Sequence, residues 1–215
     1  MRVMPDAGAA LSPGSVGLRA APSRLSRRLE DGRHPDTELA FRLARRRFIE
    51  GERLDMGSLA ARLDVDRTTL FRWVGNRDTL VAEVMWSIAS PTFDKAAELT
   101  RGMTDGERVV EILVRFMEAL LTAEFFRDFL RREPARSLRL LTTTDSPIAA
   151  RYRAAIECVL RREYAAETVH GMPLTDLAYL LAKFSEAFTY ADLITGEPPS
   201  SARARAAFRL LLRVD

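Results

Sequence analysis

The feature that most constrains the fold is a pair of short helical patterns separated by only three residues. Apolar residues recur at spacings of three and four over 56–63, which predicts the first helix. Asp64-Val65-Asp66 is long enough only for a tight turn, and Asp66 is a suitable N-cap for the second helix. Two short helices joined by such a turn form a helix-turn-helix. The residues predicted to bury its elbow are Leu59, Ala60, Leu63, Val65, Leu70 and Phe71.

The outer face of the second helix is the candidate contact surface for DNA. The second helix of a helix-turn-helix enters the major groove, where its N-terminal residues meet base edges. Free amides and the helix dipole at that end also favour phosphate. Arg77, which starts the following helix, is placed to take a phosphate. The predicted DNA-binding residues are Arg67, Thr68, Thr69, Phe71, Arg72, Trp73 and Arg77.

The run from Leu59 to Asp78 resembles the signature of the TetR family of transcriptional regulators. That signature has a helix, a turn, Thr-Leu-aromatic, a basic pair, and a basic residue beside an acid that begins the next helix. The resemblance covers about residues 36–85 and implies a homodimer with an N-terminal DNA-binding domain and a variable helical effector domain. The Phe-Arg-Trp-Val-Gly segment resembles a branch that includes quorum-signal-degradation regulators.

Four positions depart from the family pattern. Asp64 stands where the family commonly has Gly, and Trp73-Val74 stand where it has His-Phe. Phe71 replaces a Tyr whose hydroxyl typically donates to a DNA phosphate in the family. Since Phe71 has no hydroxyl, either that contact is lost or the indole N–H of Trp73 replaces it.

The remainder of the chain predicts an all-α fold, because no stretch alternates apolar and polar residues at strand spacing. Pro91 is expected to end or kink the helix that starts at Arg77, and Thr104 begins a capping-box pattern. Further helices are predicted over 36–50, 123–132, 146–169, 173–194 and 200–214. Three segments are predicted: a disordered or basic N-terminal arm (1–33), a helix-turn-helix domain (34–80) and a helical ligand-binding and dimerisation domain (81–215).

The distribution of charge agrees with an anionic partner at the front of the chain. Residues 1–80 hold 15 arginines against 11 acidic residues, whereas residues 81–215 hold 18 basic and 19 acidic residues. Cys158 is the single cysteine, and no run of 18 apolar residues is present. These features lead us to expect a cytoplasmic protein without a membrane segment.

The C-terminal part is expected to bind a ligand and to form the dimer. The family resemblance implies a pocket for a small, largely apolar ligand, although aromatic residues in a helical bundle also simply fill the core. The predicted lining residues are Phe116, Phe125, Phe129, Tyr152, Phe184 and Phe188. The helices over 173–194 and 200–214 are apolar on more than one face, which predicts homodimerisation through them.

The sequence contains no pattern typical of a metal site, a cofactor site or a catalytic site, so none is predicted. The leading hypothesis is a ligand-responsive repressor that a small molecule releases from a palindromic operator. The alternative is a dimeric helical module that binds a small molecule or a protein without operator-specific DNA binding. An enzyme is the third and weakest hypothesis.

Overall fold

Residues 11–214, which this computed structural model describes, form thirteen α-helices and one β-hairpin, and they confirm the predicted all-α class. The N-terminal helices are α1 (Pro13–Ala20), α2 (Arg24–Asp31), α3 (Pro35–Ile49), α4 (Met56–Arg62), α5 (Arg67–Val74) and α6 (Arg77–Leu99). The others are α7 (Asp105–Thr122), α8 (Glu124–Arg132), α9 (Pro134–Thr142), α10 (Ile148–Glu163), α11 (Leu174–Thr189), α12 (Ala191–Ile194) and α13 (Ser201–Leu212). The hairpin pairs β1 (Thr168–Val169) antiparallel with β2 (Met172–Pro173).

The prediction of a disordered segment or basic arm is wrong for residues 11–33, most of which lie in α1 and α2. Residues 1–10 of that predicted segment lie outside the described residues. Helix α1 packs on α6 and α10 so closely that a Cβ on Gly17 would lie 2.5 Å from the Arg151 carbonyl oxygen. Gly14 donates its N–H to Asp94 Oδ1 at 2.8 Å. Gly14 and Gly17 are therefore the small residues that this close approach requires.

Pro91 was expected to end or kink α6. The helix does not end there but continues to Leu99. Pro91 faces solvent, while Phe93 and Ala96 beyond it are buried in the core. Packing of these two side chains holds the helix together across a residue that lacks an N–H donor.

Three other differences between the predicted and the observed structure lie at the ends of helices. The helix predicted over 146–169 ends at Glu163, and the hairpin follows, so the expectation of helices alone was wrong for four residues. Helix α9, which the sequence patterns do not predict, begins at Pro134, a position where proline is well tolerated. Thr104 starts α7 through its carbonyl, which accepts from the Arg108 N–H at 3.2 Å, and its side chain forms no capping bond.

Two apolar clusters share α6. The bundle cluster joins the second half of α6 to α7, α10, α11 and α13, and includes Phe93, Leu113, Ile156, Leu181 and Phe208. The head cluster joins α2–α5 and the first half of α6 to α8 and α9, and includes Ala44, Leu59, Leu70, Val81, Phe126 and Leu140. Because the head cluster extends across residues 80 and 81, the domain division at that point stays a prediction.

Candidate functional site

The helix-turn-helix is built by α4 and α5 with an aspartate at each helix start. Asp55 Oδ1 accepts from the Ser58 N–H at 2.7 Å, and Asp66 Oδ1 accepts from the Thr69 N–H at 2.8 Å. These backbone hydrogen bonds are the main reason that the pKa of each aspartate lies below its ordinary value. Asp64 has a φ of 54°. This left-handed conformation accounts for the glycine that the family commonly has there, and aspartate tolerates it better than most residues.

The predicted elbow is correct except for one residue of α5. Leu59, Ala60, Leu70 and Val74 are buried in the head cluster, whereas Phe71 is 57% exposed. Trp73, which was placed on the outer face, is half-buried and packs against that cluster. An exposed phenylalanine on α5 presents an apolar surface beside polar residues, which suits contact with a thymine methyl group.

The predicted DNA-binding residues of α5 lie together, but they differ in what holds them. Arg67, Thr68, Phe71 and Arg72 are exposed. The Thr69 hydroxyl donates to Asp66 Oδ2 at 2.8 Å and accepts from Arg72 Nη2 at 3.0 Å. Arg67 and Thr68 therefore stand at the N-terminal end of α5 as the side chains most accessible to a ligand.

Arg77 is not placed to take a phosphate, in contrast to the prediction. Its side chain is only 15% exposed, because Nε donates to the Leu54 carbonyl and the guanidinium is paired with Glu133. Arg77 Nη1 lies 2.8 Å from Glu133 Oε2, and Nη2 donates to the other carboxylate oxygen. Three of its five N–H donors are used in this way, and a half-buried guanidinium whose charge is already paired with a carboxylate offers little to a phosphate.

The Arg77 pair belongs to a larger set of ion pairs that we call the clamp: Arg77, Asp78, Glu133, Arg136 and Arg139. Asp78, the second residue of α6, pairs with Arg136 at 3.2 Å and with Arg139, both on α9. Burial opposes the ionisation of Glu133, but hydrogen bonds and charges from Arg77, Arg136 and Arg53 outweigh it, and the pKa of Glu133 lies below its ordinary value. The clamp thus fixes the start of α6 to the corner between α8 and α9.

Arg28 of α2 also supports the helix-turn-helix, a role that the sequence did not predict for it. Its Nη1 donates to the Trp73 carbonyl at 3.1 Å and to the Arg72 carbonyl. These carbonyls end α5 and have no partner within the helix, so Arg28 completes the C-terminal end of the candidate recognition helix.

An apolar cavity with a volume of about 70 Å³ lies between α6, α7, α8, α10 and α11. Phe116, Phe125 and Tyr152 line it, as predicted. Phe129 does not; it packs in the head cluster against Phe48, with ring centroids 5.6 Å apart. Phe184 and Phe188 also lie outside the cavity, as stacked rings 6.3 Å apart at the edge of the bundle cluster. The cavity is smaller than a benzene site, so a larger ligand must widen it.

The polar groups of the cavity wall lie mainly on α11. The Tyr152 hydroxyl and the Ser185 hydroxyl are 3.0 Å apart, and Ser185 also donates to the Leu181 carbonyl at 2.8 Å. Glu186, Thr189 and Tyr190 complete this end of the wall. Burial raises the pKa of both tyrosines well above the ordinary range, so both remain neutral.

Helices α11 and α13 each keep apolar residues at their outer surface. Leu210 of α13 is 81% exposed, and Tyr179 of α11 is also exposed. The inner faces of the same helices are buried in the bundle cluster, with Leu177, Leu181 and Phe208 among the buried residues.

Within residues 11–214 we find no group of three His, Cys, Asp or Glu side chains that could hold a metal ion. No helix of this described part is long and apolar enough to cross a membrane.

Comparison with known proteins identifies the family. The model of the tetracycline repressor-like C-terminal domain matches residues 105–213, half of the 215-residue chain. Among solved structures, the R. erythropolis transcriptional repressor QsdR from the TetR family matches with a TM-score of 0.72 and 26% identity, over 83% of this chain and 95% of that chain. No curated protein matches this chain. With the helix-turn-helix at its N-terminal side and this C-terminal match, the chain belongs to the TetR family of transcriptional regulators.

Proposed function

We propose that this chain is a ligand-responsive transcriptional repressor, which binds a palindromic operator as a homodimer and is released by a small, largely apolar molecule. The observation that carries the proposal is the capped, exposed N-terminal half of α5 on an intact helix-turn-helix. Membership of the TetR family supports DNA binding and dimerisation, and the likeness to a TetR-family repressor supports repression. That likeness also favours the branch of quorum-signal-degradation regulators.

The dimer would use the outer faces of α11 and α13. Two copies related by a two-fold axis present two recognition helices to the two halves of a palindrome. The exposed Leu210 supports this arrangement, because a side chain this apolar gains from a partner surface.

Helix α8 offers a short route from the cavity to the recognition helix. Phe125 and Phe126, at its start, line the cavity, and Glu133, which caps its end, holds Arg77. A ligand that widens the cavity pushes on α8 and displaces Glu133. The clamp then carries the start of α6 and the attached helix-turn-helix with it, which changes the separation of the two recognition helices and lowers operator affinity.

Replacing Arg67 by alanine tests the assignment of α5 to DNA. We expect operator affinity to fall roughly 5- to 150-fold, the range for losing one good contact to a base edge. The measurement is fluorescence anisotropy on the operator at fixed salt. Arg153→Ala is the matched control, because Arg153 is an exposed arginine on α10 and its loss removes the same charge. If both variants bind as tightly as the wild type, α5 does not read bases through Arg67.

Replacing Glu133 by glutamine tests the clamp. The variant loses the charge-assisted bonds to Arg77, and a hydrogen bond to a charged group is worth about 1.5–3 kcal/mol. We therefore expect amide hydrogen exchange in α4 and α5 to rise roughly ten-fold or more. Exchange in α13 should stay unchanged. Glu124→Gln, at the exposed start of α8, is the control, and equal protection of α4 and α5 in the two variants would remove the clamp from the account.

A further inference from the structure

The ionisable groups in the cavity wall carry one sign only. Among the described residues that line the cavity, Glu186 is the single acid, and none is a lysine, arginine or histidine. The rest of the wall is aliphatic or aromatic, apart from the hydroxyls of Ser185, Thr189 and the two tyrosines. A molecule inside the cavity therefore meets one carboxylate and several aromatic rings.

The Glu186 carboxylate lies near the two cavity tyrosines. In addition to burial, its negative charge raises the pKa of Tyr152 and of Tyr190. The side chain of Glu186 is 11% exposed, and burial raises the pKa of its own carboxyl despite the hydrogen bond and charge of Lys183. Lys183 therefore offsets only part of the effect of burial on this acid.

Lys183, the cation that pairs with Glu186, approaches from outside the cavity. Its Nζ lies 2.7 Å from Glu186 Oε2, and 5.8 Å from the centre of the Tyr179 ring. Lys183 and Tyr179 line an open groove of about 580 Å³ between α10, α11 and the segment that joins α9 to α10. Glu186 is the one residue that lines both this groove and the cavity, so its inner side is left without a cation among the described residues.

We propose that the cavity selects an apolar molecule carrying one cationic amine, which Glu186 binds. An amine on the cavity side supplies the compensating charge that Lys183 supplies only from the groove. The rings of Tyr152 and Tyr190 line the same cavity, where an aromatic face adds cation–π attraction to a cation that reaches it. A carboxylic acid would bring a second negative charge close to Glu186. A neutral isostere would bring no positive charge to the Glu186 carboxylate. This inference rests on the proposed function, since it names the ligand class of the same cavity.

The test measures binding of a matched series of small probes to the full-length protein without DNA, by isothermal titration calorimetry at pH 7. Benzylamine, benzyl alcohol and benzoate share one ring and differ in charge. We expect benzylamine to bind roughly ten-fold or more tightly than benzyl alcohol, the advantage of a charge-assisted hydrogen bond over a neutral one. Benzoate should bind more weakly than either.

Glu186→Gln keeps the size of the side chain and removes its charge, and it should abolish the preference for the amine. Glu197→Gln, at an exposed glutamate beyond α12, should leave the preference intact. If Glu186→Gln does not fold, N-benzylacetamide replaces it as the second measurement on the wild type, and it should lose the advantage of benzylamine because acetylation removes the charge.

Equal binding of benzylamine and benzyl alcohol, no binding of benzylamine, or a preference that survives Glu186→Gln each overturns the proposal. Because the assay contains no DNA, it tests the ligand class independently of operator binding. An amine preference without operator binding would count against the repressor proposal alone. Operator binding without an amine preference would count against Glu186 alone.

Discussion

Replacing Glu83 by glutamine is expected to lower the free energy of unfolding by about 3–5 kcal/mol, because it leaves a buried arginine unpaired. Arg151 is 0% exposed and Glu83 is 4% exposed. Arg151 Nη1 and Nη2 lie 2.9 and 2.7 Å from the two Glu83 carboxylate oxygens, and Nε donates to the Ala21 carbonyl at 2.9 Å. This one arginine therefore joins α10 to α6 and to the link between α1 and α2.

Urea denaturation followed by circular dichroism measures the loss, at one fixed protein concentration because the proposed dimer makes stability depend on concentration. Glu98→Gln is the control on the same helix, since Glu98 and its partner Arg101 are both exposed and such pairs contribute little. The double variant Glu83→Leu with Arg151→Met should recover much of the loss, because it removes both charges. A Glu83→Gln variant as stable as Glu98→Gln would show that the buried pair is not needed.

Replacing Leu210 by aspartate is expected to convert the proposed dimer to monomers at micromolar concentration. Two-fold symmetry places the new charge on both sides of the interface, and the loss of one central apolar contact alone typically costs about 2 kcal/mol or more. Operator affinity should fall roughly 100-fold or more, because a monomer contacts one half-site only.

Analytical ultracentrifugation gives the oligomeric state, and anisotropy on the operator gives the affinity. Leu39→Asp adds the same charge at an exposed leucine of α3 and should leave the protein dimeric. A Leu210→Asp variant that is still dimeric would place the interface elsewhere than on the outer face of α13.

The helix-turn-helix was predictable because its signals are local. Asp55 and Asp66 each accept a hydrogen bond from the backbone N–H three residues later, and the apolar residues of α4 recur at helical spacing over 56–63. The same local reasoning failed to choose between Phe71 and Trp73. An eight-residue helix gives the pattern only two turns, and the exposed side of α5 is set by the packing of α3 against it.

The clamp and the buried pair were not predictable from sequence. Arg77 and Glu133 are 56 residues apart, and Arg151 and Glu83 are 68 apart. In a chain with 31 arginines, nothing local marks the few that find a buried carboxylate. The prediction that Arg77 takes a phosphate failed for this reason.

The cavity was predictable in kind but not in its lining. Aromatic residues indicated that rings fill or line the C-terminal bundle, and Phe116, Phe125 and Tyr152 do line the cavity. Periodicity does not say which apolar face of a two-faced helix turns inward. In the structure, Phe184 and Phe188 lie at the edge of the bundle, while Ser185 and Glu186 between them line the cavity. Periodicity alone did not distinguish these two faces of α11.

Fluorescence anisotropy of the wild type on an operator selected from genomic fragments tests the central claim most directly. The measurement uses excess non-specific competitor and a salt series. We predict binding that survives competitor at ~150 mM salt, weakens steeply as salt rises, and saturates at two chains, or a multiple of two, per site. Weak binding that is equal on every sequence would contradict the repressor and favour a dimeric helical module without operator-specific DNA binding.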